Sequence, residues 1–202
     1  MITIVDYGAG NLRSIERALN ILGETPTITS DPEIISQADA IVFPGVGNAR
    51  AAMDRITDSG VADVMTAAAA SGTPVLGVCL GMQLLFEEQE EGPTTGLGLL
   101  KGRGVKLPDG LKVPHIGWNT VSFTDNGPFA GYPDVAVYFV HSYMVHPADS
   151  QDVAGVTGYG VEFPSVVARE NVWGTQFHPE KSGDVGIAIL ERWVAFARDR
   201  RS

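Results

Sequence analysis

Short β-prone runs alternate with stretches of helical spacing over the first 86 residues of the chain. The runs at residues 2–5, 27–29, 40–43 and 74–78 are bounded by polar or turn-forming residues and predict four strands. Between them, apolar residues recur every three or four positions, which predicts helices, the longest over the alanine-rich segment 49–70. Strands that alternate with helices are joined by right-handed crossovers, so this part of the chain predicts a mainly parallel sheet.

The pattern changes in the second half of the chain. Residues 92–127 are rich in Gly and Pro and contain β-prone stretches at 104–107 and 120–123, which predict antiparallel hairpins at the edge of the sheet. A strand at residues 172–177 precedes a final helix. Because the chain shows no internal repeat or linker, we predict a single α/β domain over residues 1–202. Its expected form is a flavodoxin-like, mainly parallel sheet flanked by helices, with antiparallel strands at one edge.

Composition narrows the classes of protein to which the chain can belong. The net charge is −10 over 202 residues, which argues against nucleic-acid binding, because phosphates require basic patches. No apolar stretch approaches the ~20 residues of a membrane-spanning helix, and the N-terminus lacks the basic and apolar regions of a signal peptide. A single cysteine cannot form an internal disulfide, so we expect a cytoplasmic protein that binds neither nucleic acid nor membrane.

The only cysteine, Cys79, lies between two glycines where a predicted strand meets a predicted helix. Gly77-Val78-Cys79-Leu80-Gly81 has the Gly-x-nucleophile-x-Gly pattern of a strand-to-helix elbow, with cysteine in the place of serine. Such a sharp turn leaves no room for Cβ atoms beside the nucleophile. It also places the sulfur at a helix N-terminus, where free N–H groups favour the thiolate.

A histidine and a carboxylate far along the chain complete a candidate triad. In His178-Pro179-Glu180, the histidine can act as a base and the glutamate can orient it. Each part also has a simpler interpretation, since a lone cysteine is often an inert core residue and His-Pro often marks only a turn. The occurrence of both signals in one chain, with the cysteine at a strand–helix junction, favours cysteine catalysis.

These motifs resemble those of a known enzyme family. Residues 77–83 (Gly-Val-Cys-Leu-Gly-Met-Gln) and 178–180 are similar to the signatures of class I glutamine amidotransferases. Residues 6–12 (Asp-Tyr-Gly-Ala-Gly-Asn-Leu), 44–47 (Pro-Gly-Val-Gly) and 141–143 (His-Ser-Tyr) narrow the resemblance to the glutaminase subunits of imidazole glycerol phosphate synthases, from histidine biosynthesis. The similarity runs from end to end of the chain, and no catalytic position departs from it.

The resemblance implies a glutaminase that works through a covalent thioester. Cys79 would attack the side-chain amide of glutamine, His178 would carry the transferable proton, and Glu180 would orient the imidazole. The oxyanion needs donors: the N–H of Leu80 is a candidate because it follows the nucleophile, and the N–H of Val46 is implied by the resemblance. An ordinary strand-to-helix turn is the alternative interpretation of the Pro-Gly segment that contains Val46.

The resemblance also implies a set of glutamine contacts. Gln83 lies four residues after Cys79, one helical turn on, and can reach toward the same pocket, although it could also be an ordinary helix residue. Ser142 and Tyr143 belong to the segment that resembles the family's holder of the backbone end of glutamine. We therefore expect Gly47, Gln83, Ser142 and Tyr143 to bind the substrate.

A second implied set connects the active site with a partner. Gly45 would let the Gly45–Val46 peptide rotate, because glycine accepts backbone angles that other residues resist. Asn11, Tyr138 and Lys181 are implied to lie near the docking surface, although a lysine beside a turn is often only a solvated charge. The implied partner is a (β/α)₈-barrel cyclase, joined as a heterodimer, that makes imidazole glycerol phosphate and an aminoimidazole carboxamide ribotide.

No cofactor or metal is expected. Gly8 and Gly10 follow the first strand as in dinucleotide-binding loops, but Arg13 occupies the position of the third glycine, which close helix–strand packing requires. The four histidines and the single cysteine show no recognised zinc spacing, and no carboxylate cluster accompanies them. The sequence therefore favours a site that uses side chains and the main chain alone.

Three alternatives remain open on the sequence. The chain could serve another synthase of the same class, such as those for pyridoxal phosphate, anthranilate or GMP, from which residues 6–12 separate it. It could be a cysteine-elbow hydrolase or stress sensor outside the amidotransferases, but such a protein is expected to lack Gln83 and the His178–Glu180 pair. It could be an inactive binding module, which is expected to have lost Cys79 or His178.

Overall fold

The computed structural model describes residues 1–125 and 127–200. Within these residues it has thirteen β-strands, six α-helices and two short 3-10 helices. The strands are β1 (Ile2–Val5), β2 (Thr27–Thr29), β3 (Ala40–Gly45), β4 (Val75–Cys79), β5 (Phe86–Gln89), β6 (Thr94–Thr95), β7 (Leu100–Lys106), β8 (His115–Phe123), β9 (Val135–His141), β10 (Tyr143–Pro147), β11 (Val153–Tyr159), β12 (Val161–Arg169) and β13 (Val172–Thr175). The helices are α1 (Leu12–Ile21), α2 (Pro32–Ser36), α3 (Ala49–Asp58), α4 (Val61–Ala70), α5 (Leu80–Leu84) and α6 (Gly183–Asp199), and the 3-10 helices are Ser150–Asp152 and Pro179–Lys181. None of the helices in the described residues is long and apolar enough to cross a membrane.

The parallel half of the main sheet has the strand order β2-β1-β3-β4-β13. Every residue of β1, β3, β4 and β13 is buried, which explains the near-continuous apolar runs that mark them in the sequence. The carboxyl ends of these strands meet at one edge, where open α/β sheets bind their ligands. β4 delivers Cys79 to that edge, paired with Gly45 of β3.

The antiparallel half continues the same sheet from β13 through β12, β11 and β8 to β9. A smaller sheet has the order β10-β7-β5-β6. The predicted α/β fold, with parallel strands flanked by helices and antiparallel strands at one edge, is confirmed. The antiparallel part is larger than expected, since the sequence pattern does not predict β10 or β11.

The alanine-rich segment that the pattern predicts as one helical stretch forms two helices, α3 and α4. α3 ends at Asp58, Ser59 follows as its cap, and Gly60 has a left-handed backbone (φ 76) immediately before Val61. A left-handed residue does not continue a right-handed helix, so the Ser59-Gly60 pair divides the segment. α3 begins at the residue after Asn48. The side chain of Asn48 caps the helix by accepting a hydrogen bond from the N–H of Ala51 at 3.0 Å.

Helices bury both faces of the parallel strands. Successive strand residues point to opposite faces, so each strand contributes to two hydrophobic clusters. One cluster joins Ile4, Val42 and Leu76 to α1 and α6, and the other joins Val5, Ile41, Phe43 and Val75 to α3 and α4. Each fully buried Leu, Ile or Phe side chain contributes about 1.5–3 kcal/mol. This core holds the strand ends that carry the candidate site.

Candidate active site

Cys79 ends β4, and α5 begins at the next residue. Its backbone angles are φ 56 and ψ −112, a conformation that a residue with a side chain adopts only under strain. A Cβ at Gly81 would lie 1.8 Å from the carbonyl oxygen of Phe43, and one at Gly77 would lie 2.7 Å from backbone atoms of Met82. Both glycines of the sequence pattern are therefore required by the close approach of backbones around the elbow.

A cleft of about 290 Å³ opens beside the elbow. Cys79 lines it, although this residue is only 6% exposed. The structure also places six other residues of the predicted site on the cleft wall: Val46, Gly47, Leu80, Gln83, Ser142 and Tyr143. The fold therefore brings the candidate nucleophile, the two residues expected to donate to the oxyanion and the expected glutamine contacts into one place.

His178 and Glu180 form a buried pair just after β13. The Nδ1 of His178 and the Oε1 of Glu180 are 2.8 Å apart, and the two side chains are 2% and 0% exposed. The same Oε1 accepts a hydrogen bond from the Nδ2 of Asn11. The Nε2 of His178 is buried and has no hydrogen-bond partner among the described residues. Since Nδ1 is bonded to the carboxylate, Nε2 is the ring nitrogen that remains available for proton transfer.

The surroundings of His178 favour the charged imidazolium. Burial lowers the pKa of His178, but its interactions with Cys79 and Glu180 together raise the pKa more strongly, to about 9 from 6.5. The carboxylate of Glu180 is placed to compensate this buried positive charge. A histidine that keeps its proton at neutral pH can deliver that proton to a leaving group.

Residues 44–47, where β3 ends and a loop follows, are the segment expected to hold an oxyanion donor and are called the oxyanion loop below. Gly45 at its base has no room for a side chain, because a Cβ would lie 2.5 Å from the N of Gly81 and 2.8 Å from the hydroxyl oxygen of Tyr7. The residues beyond it are open: Val46 is 38% exposed, and Gly47, with φ 103, has space for a Cβ among the described residues. The oxyanion loop is thus fixed at its base and free beyond it.

Two glutamines link the cleft wall to the thiol. The Nε2 of Gln83 donates to the carbonyl oxygen of Tyr143 and to the Oε1 of Gln176, each at 3.0 Å. The Nε2 of Gln176 donates to the sulfur of Cys79 at 3.7 Å. Both glutamines are buried. Gln83 is therefore tied by hydrogen bonds to the expected substrate segment on one side and, through Gln176, to the thiol on the other.

The three residues expected near a partner surface lie beside the candidate triad. Asn11 donates to Glu180, and the carbonyl oxygen of Tyr138 accepts a hydrogen bond from the N–H of His178 at 3.0 Å. Lys181 directly follows Glu180 in the 3-10 helix and is exposed. These contacts connect this side of the molecule with the acid–base pair.

Sequence reasoning missed several residues of the site. Four of them line the cleft: Glu91, Pro114, Val140 and His141. Gln176 carries a usable signal, since a polar residue inside an apolar run, two positions before His178, indicates a buried polar role. Glu91 carries none, because it lies in a turn that only the fold brings to the cleft. Among residues 1–125 and 127–200, no group of three or more His, Cys, Asp or Glu side chains is arranged to hold a metal ion.

Comparison with known families identifies the class of protein. The family model for class I glutamine amidotransferases matches residues 3–195. The chain belongs to the class I glutamine amidotransferase family. The family membership predicted from residues 77–83 and 178–180 is thereby confirmed.

Curated relatives of this amidotransferase extend over the whole chain. The imidazole glycerol phosphate synthase subunit HisH of Geobacillus thermodenitrificans (strain NG80-2) is 48% identical over 210 residues, covering 100% of this chain and 99% of the relative. The protein of the same name from Methanopyrus kandleri is 47% identical over 192 residues, covering 94% of each chain. These relatives confirm the narrower resemblance carried by residues 6–12, 44–47 and 141–143.

Two solved structures share the fold. A crystal structure described as a glutamine amidotransferase matches with a TM-score of 0.79 at 19% identity, covering 98% of this chain and 100% of that chain. The structure of PurLQS from Thermotoga maritima matches with a TM-score of 0.75 at 21% identity, covering 96% of this chain and 97% of that one. At these identities the likeness concerns the fold, and it agrees with a large mixed sheet flanked by helices.

Proposed function

We propose that residues 1–202 form one glutaminase domain, the glutaminase subunit of an imidazole glycerol phosphate synthase. It hydrolyses glutamine to glutamate and ammonia through a thioester on Cys79 and delivers the ammonia to a cyclase partner. Two observations carry the proposal together: a thiol on a strained elbow lines the cleft, and Cys79 interacts electrostatically with the buried His178–Glu180 pair. The full-length relatives named as subunit HisH support this synthase over others of the class.

The first half-reaction forms the thioester. The sulfur of Cys79 attacks the side-chain carbonyl carbon of glutamine, and the carbonyl oxygen becomes an oxyanion held by the N–H groups of Leu80 and Val46. When the tetrahedral intermediate collapses, the carbon–nitrogen bond breaks and His178 gives its proton to the departing nitrogen, which leaves as ammonia. The raised pKa of His178 suits this step, because the imidazolium predominates at neutral pH.

The second half-reaction releases glutamate. His178, now neutral, accepts a proton from a water molecule whose oxygen attacks the thioester carbon. Collapse of this intermediate breaks the carbon–sulfur bond and restores the Cys79 thiolate beside a protonated His178. Glu180 holds the Nδ1 of the ring in both half-reactions and stabilises each imidazolium state.

The cleft matches a free amino acid in size and polarity. Its volume of about 290 Å³ lies at the small end of ligand sites. Glu91 on the wall supplies a negative charge for the α-ammonium group of glutamine. The main chain at Ser142 and Tyr143 supplies polar groups for the backbone end, and Gln83 borders the reacting amide. The proposed substrate is therefore free glutamine rather than a peptide.

The proposed docking surface is the edge formed by β8 and β9. Ile116 and Trp118 are 59% and 60% exposed, and the ring of Trp118 lies 6.2 Å from that of Tyr138. An exposed apolar patch with aromatic residues is typical of a protein interface. The carbonyl oxygen of Tyr138 accepts a hydrogen bond from the N–H of His178, which joins this patch to the acid–base pair. Lys181, three residues after His178 in the sequence, adds a positive charge. The proposed partner is a (β/α)₈-barrel cyclase, in a cytoplasmic heterodimer.

Ammonia release must be coupled to the partner, because ammonia that escapes into solvent is protonated and lost to the synthesis. The Gly45–Val46 peptide is the proposed gate. With its N–H turned away from the cleft, one oxyanion donor is absent, which lowers the rate by about 10²–10³. Asn11 contacts Glu180, and Tyr138 contacts His178. A shift of either residue on docking would therefore alter the position of the acid–base pair.

The test is an assay of the purified chain, alone and with the cyclase of this synthase. We expect weak glutamine hydrolysis by the chain alone and full hydrolysis once the cyclase and an analogue of its substrate are added. In the complex, Cys79→Ala should make no product from glutamine but keep its activity with ammonium salts at alkaline pH. Loss of both activities, or a free chain already at full rate, would contradict the proposal. Activation only by the partner of another synthase would reassign the chain.

A further inference from the structure

A hydrogen-bonded pair of buried histidines lies behind the substrate wall of the cleft. His115 in β8 and His141 at the end of β9 are both buried, and His141 also lines the cleft. The Nδ1 of His115 is 2.9 Å from the Nε2 of His141, and the Nδ1 of His141 is 2.8 Å from the carbonyl oxygen of Tyr143. Neither ring has a part in the proposed thioester chemistry.

The neighbours of the pair fix the position of each ring proton. A carbonyl oxygen only accepts, so the Nδ1 of His141 carries a proton and, in a neutral ring, its Nε2 accepts. The Nδ1 of His115 must then donate to that Nε2, which leaves the Nε2 of His115 as an acceptor. Asn119 supplies the matching donor, because its Nδ2 is 3.3 Å from this nitrogen and also donates to the carbonyl oxygen of Gly158 at 2.9 Å. The Oδ1 of Asn119 accepts from the N–H of Thr120 at 2.8 Å, which excludes the flipped amide.

Both rings are neutral in this arrangement, and their surroundings keep them so. Burial lowers the pKa of His115, and burial lowers the pKa of His141 to about 4 although the hydrogen bond to Tyr143 opposes the change. The ring of His115 is stacked on Tyr159 and on Phe139, with centroid distances of 4.0 and 4.8 Å. The His115 ring therefore cannot turn over to exchange its partners without breaking these stacks.

We propose that His115 and His141 are positioning residues for glutamine hydrolysis. Their chain of hydrogen bonds, the imidazole relay, runs in one direction from Asn119 to the carbonyl of Tyr143. That carbonyl also accepts from the Nε2 of Gln83 at 3.0 Å, so the relay fixes the amide that borders the reacting thiol. The inference rests on the proposed glutaminase function of the same cleft.

A nearly isosteric change at the start of the relay tests its direction. In Asn119→Asp, a carboxylate faces the Nε2 of His115 and draws the proton to it, so that Nδ1 can no longer donate to His141. The matched control is Asn119→Ala, which loses the same amide and the same bond to Gly158 but offers no acceptor. In the complex with the cyclase, kcat/KM for glutamine should fall about tenfold in Asn119→Asp, mainly through KM, and stay within about threefold in Asn119→Ala.

Nitrogen NMR of the imidazole rings gives a readout that does not depend on turnover. The wild type should show both rings neutral and protonated at Nδ1, and Asn119→Asp should show His115 protonated at Nε2. A second variant, His115→Phe, keeps an aromatic ring in the stack but removes the donor, and should raise KM in the same way. Ammonia-driven synthesis by the complex bypasses the glutamine pocket and should be unchanged in all three variants.

Two results overturn the relay. One is a wild-type His115 that is charged or protonated at Nε2, and the other is an unchanged KM in Asn119→Asp once its proton has moved. Equal losses in Asn119→Asp and Asn119→Ala would also overturn it, because the amide would then act only by supporting the strand. If the wild-type complex hydrolyses no glutamine, the proposed function fails instead, and the ring spectra still decide the direction of the hydrogen bonds.

Discussion

The nucleophile elbow and the oxyanion loop lie side by side at the end of two paired strands, yet they are built in opposite ways. At the elbow, a Cβ on Gly81 would lie 1.8 Å from a backbone carbonyl oxygen. In the oxyanion loop, only Gly45 is confined in this way, while Val46 is partly exposed and Gly47 has room for a Cβ. The elbow is confined by neighbouring backbone at both of its glycines, and the oxyanion loop is confined only at Gly45.

This difference in packing indicates that the elbow is fixed and that the oxyanion loop beyond Gly45 can move. The strained backbone of Cys79 costs roughly 1–3 kcal/mol, and such strain persists only where the surrounding structure holds it in place. The elbow therefore holds the thiol of Cys79 in one position. An exposed loop with few buried contacts rearranges at lower cost. A site with a fixed nucleophile and a movable donor can be switched on by turning one peptide group.

The largest expected effect is the loss of stability when one methyl group is added to a glycine of the elbow, compared with a glycine of the oxyanion loop. Gly81→Ala should lower the free energy of unfolding by about 4–5 kcal/mol or prevent folding, since the methyl overlaps the carbonyl of Phe43. Gly47→Ala meets no described neighbour and should cost only about 1–2 kcal/mol, the strain of a positive φ. Denaturant unfolding measures both costs. Equal losses of stability would show that the elbow and the oxyanion loop are packed equally tightly, contrary to the difference described above.

The next effect concerns the donor in the oxyanion loop. Val46→Pro removes an N–H at a partly exposed position, so glutamine hydrolysis by the complex should fall about 10²–10³-fold without a matching loss of stability. Val46→Ala keeps the N–H and should stay within about threefold of the wild type. Steady-state glutaminase rates with the cyclase compare the two variants. A normal rate in Val46→Pro would remove Val46 from the oxyanion hole.

The third prediction tests the charge on the fixed side of the site. The folded-state pKa of His178, about 9, lies above the unfolded value of 6.5, so its proton stabilises the fold fully below pH 6.5 and this contribution is lost as the pH rises through 9. We expect a decrease of roughly 3 kcal/mol in the free energy of unfolding over this interval. His178→Gln removes the titrating group and should show a decrease smaller by that amount. Denaturant unfolding across the interval compares them, and parallel curves would contradict a buried imidazolium.

The smallest effect concerns Asn11, which precedes α1. Its backbone is left-handed (φ 73), so Asn11→Gly keeps the conformation and removes the hydrogen bond to Glu180. Such a bond is worth about 1.5 kcal/mol, so kcat for glutamine in the complex should fall roughly tenfold. Asn11→Asp places a like charge beside the carboxylate and should fall further. An unchanged kcat in both variants would leave Asn11 with a docking role alone.

The parallel half of the fold can be predicted from the sequence because its signals are local. β1, β3 and β4 are short apolar runs separated by helical spacing, and each run can be found without knowing its neighbours. β10 and β11 give weaker signals, since glycines at 155 and 158 interrupt β11 and β10 follows directly on the His-Ser segment. Their conformation depends on pairing with β7 and β12, which no local pattern specifies.

The candidate site also contains some residues that a continuous motif reveals and others that only the fold brings together. Cys79 and its flanking glycines form one continuous motif, so the elbow can be found from five residues in a row. The imidazole relay and the hydrogen bonds of Gln176 join residues from several strands, and only the order of those strands brings them together. Glu91 enters the cleft from a turn whose sequence gives no sign of it. The catalytic and binding roles of these residues stay predictions until the variants are assayed.

Asn11 and Glu180 are 169 residues apart in the chain, and β13, which leads to both His178 and Glu180, is inserted between β4 and β12 in the interior of the sheet. A ribosome that has made residues 1–170 has therefore produced the thiol, the elbow and the walls of the cleft, but neither His178 nor Glu180. The proposed acid–base pair therefore takes its place only after β13 has entered the sheet and the segment that follows it has docked against Asn11. In the proposed mechanism, a translation product that stops before residue 178 would therefore hydrolyse no glutamine, whether or not the cyclase is present.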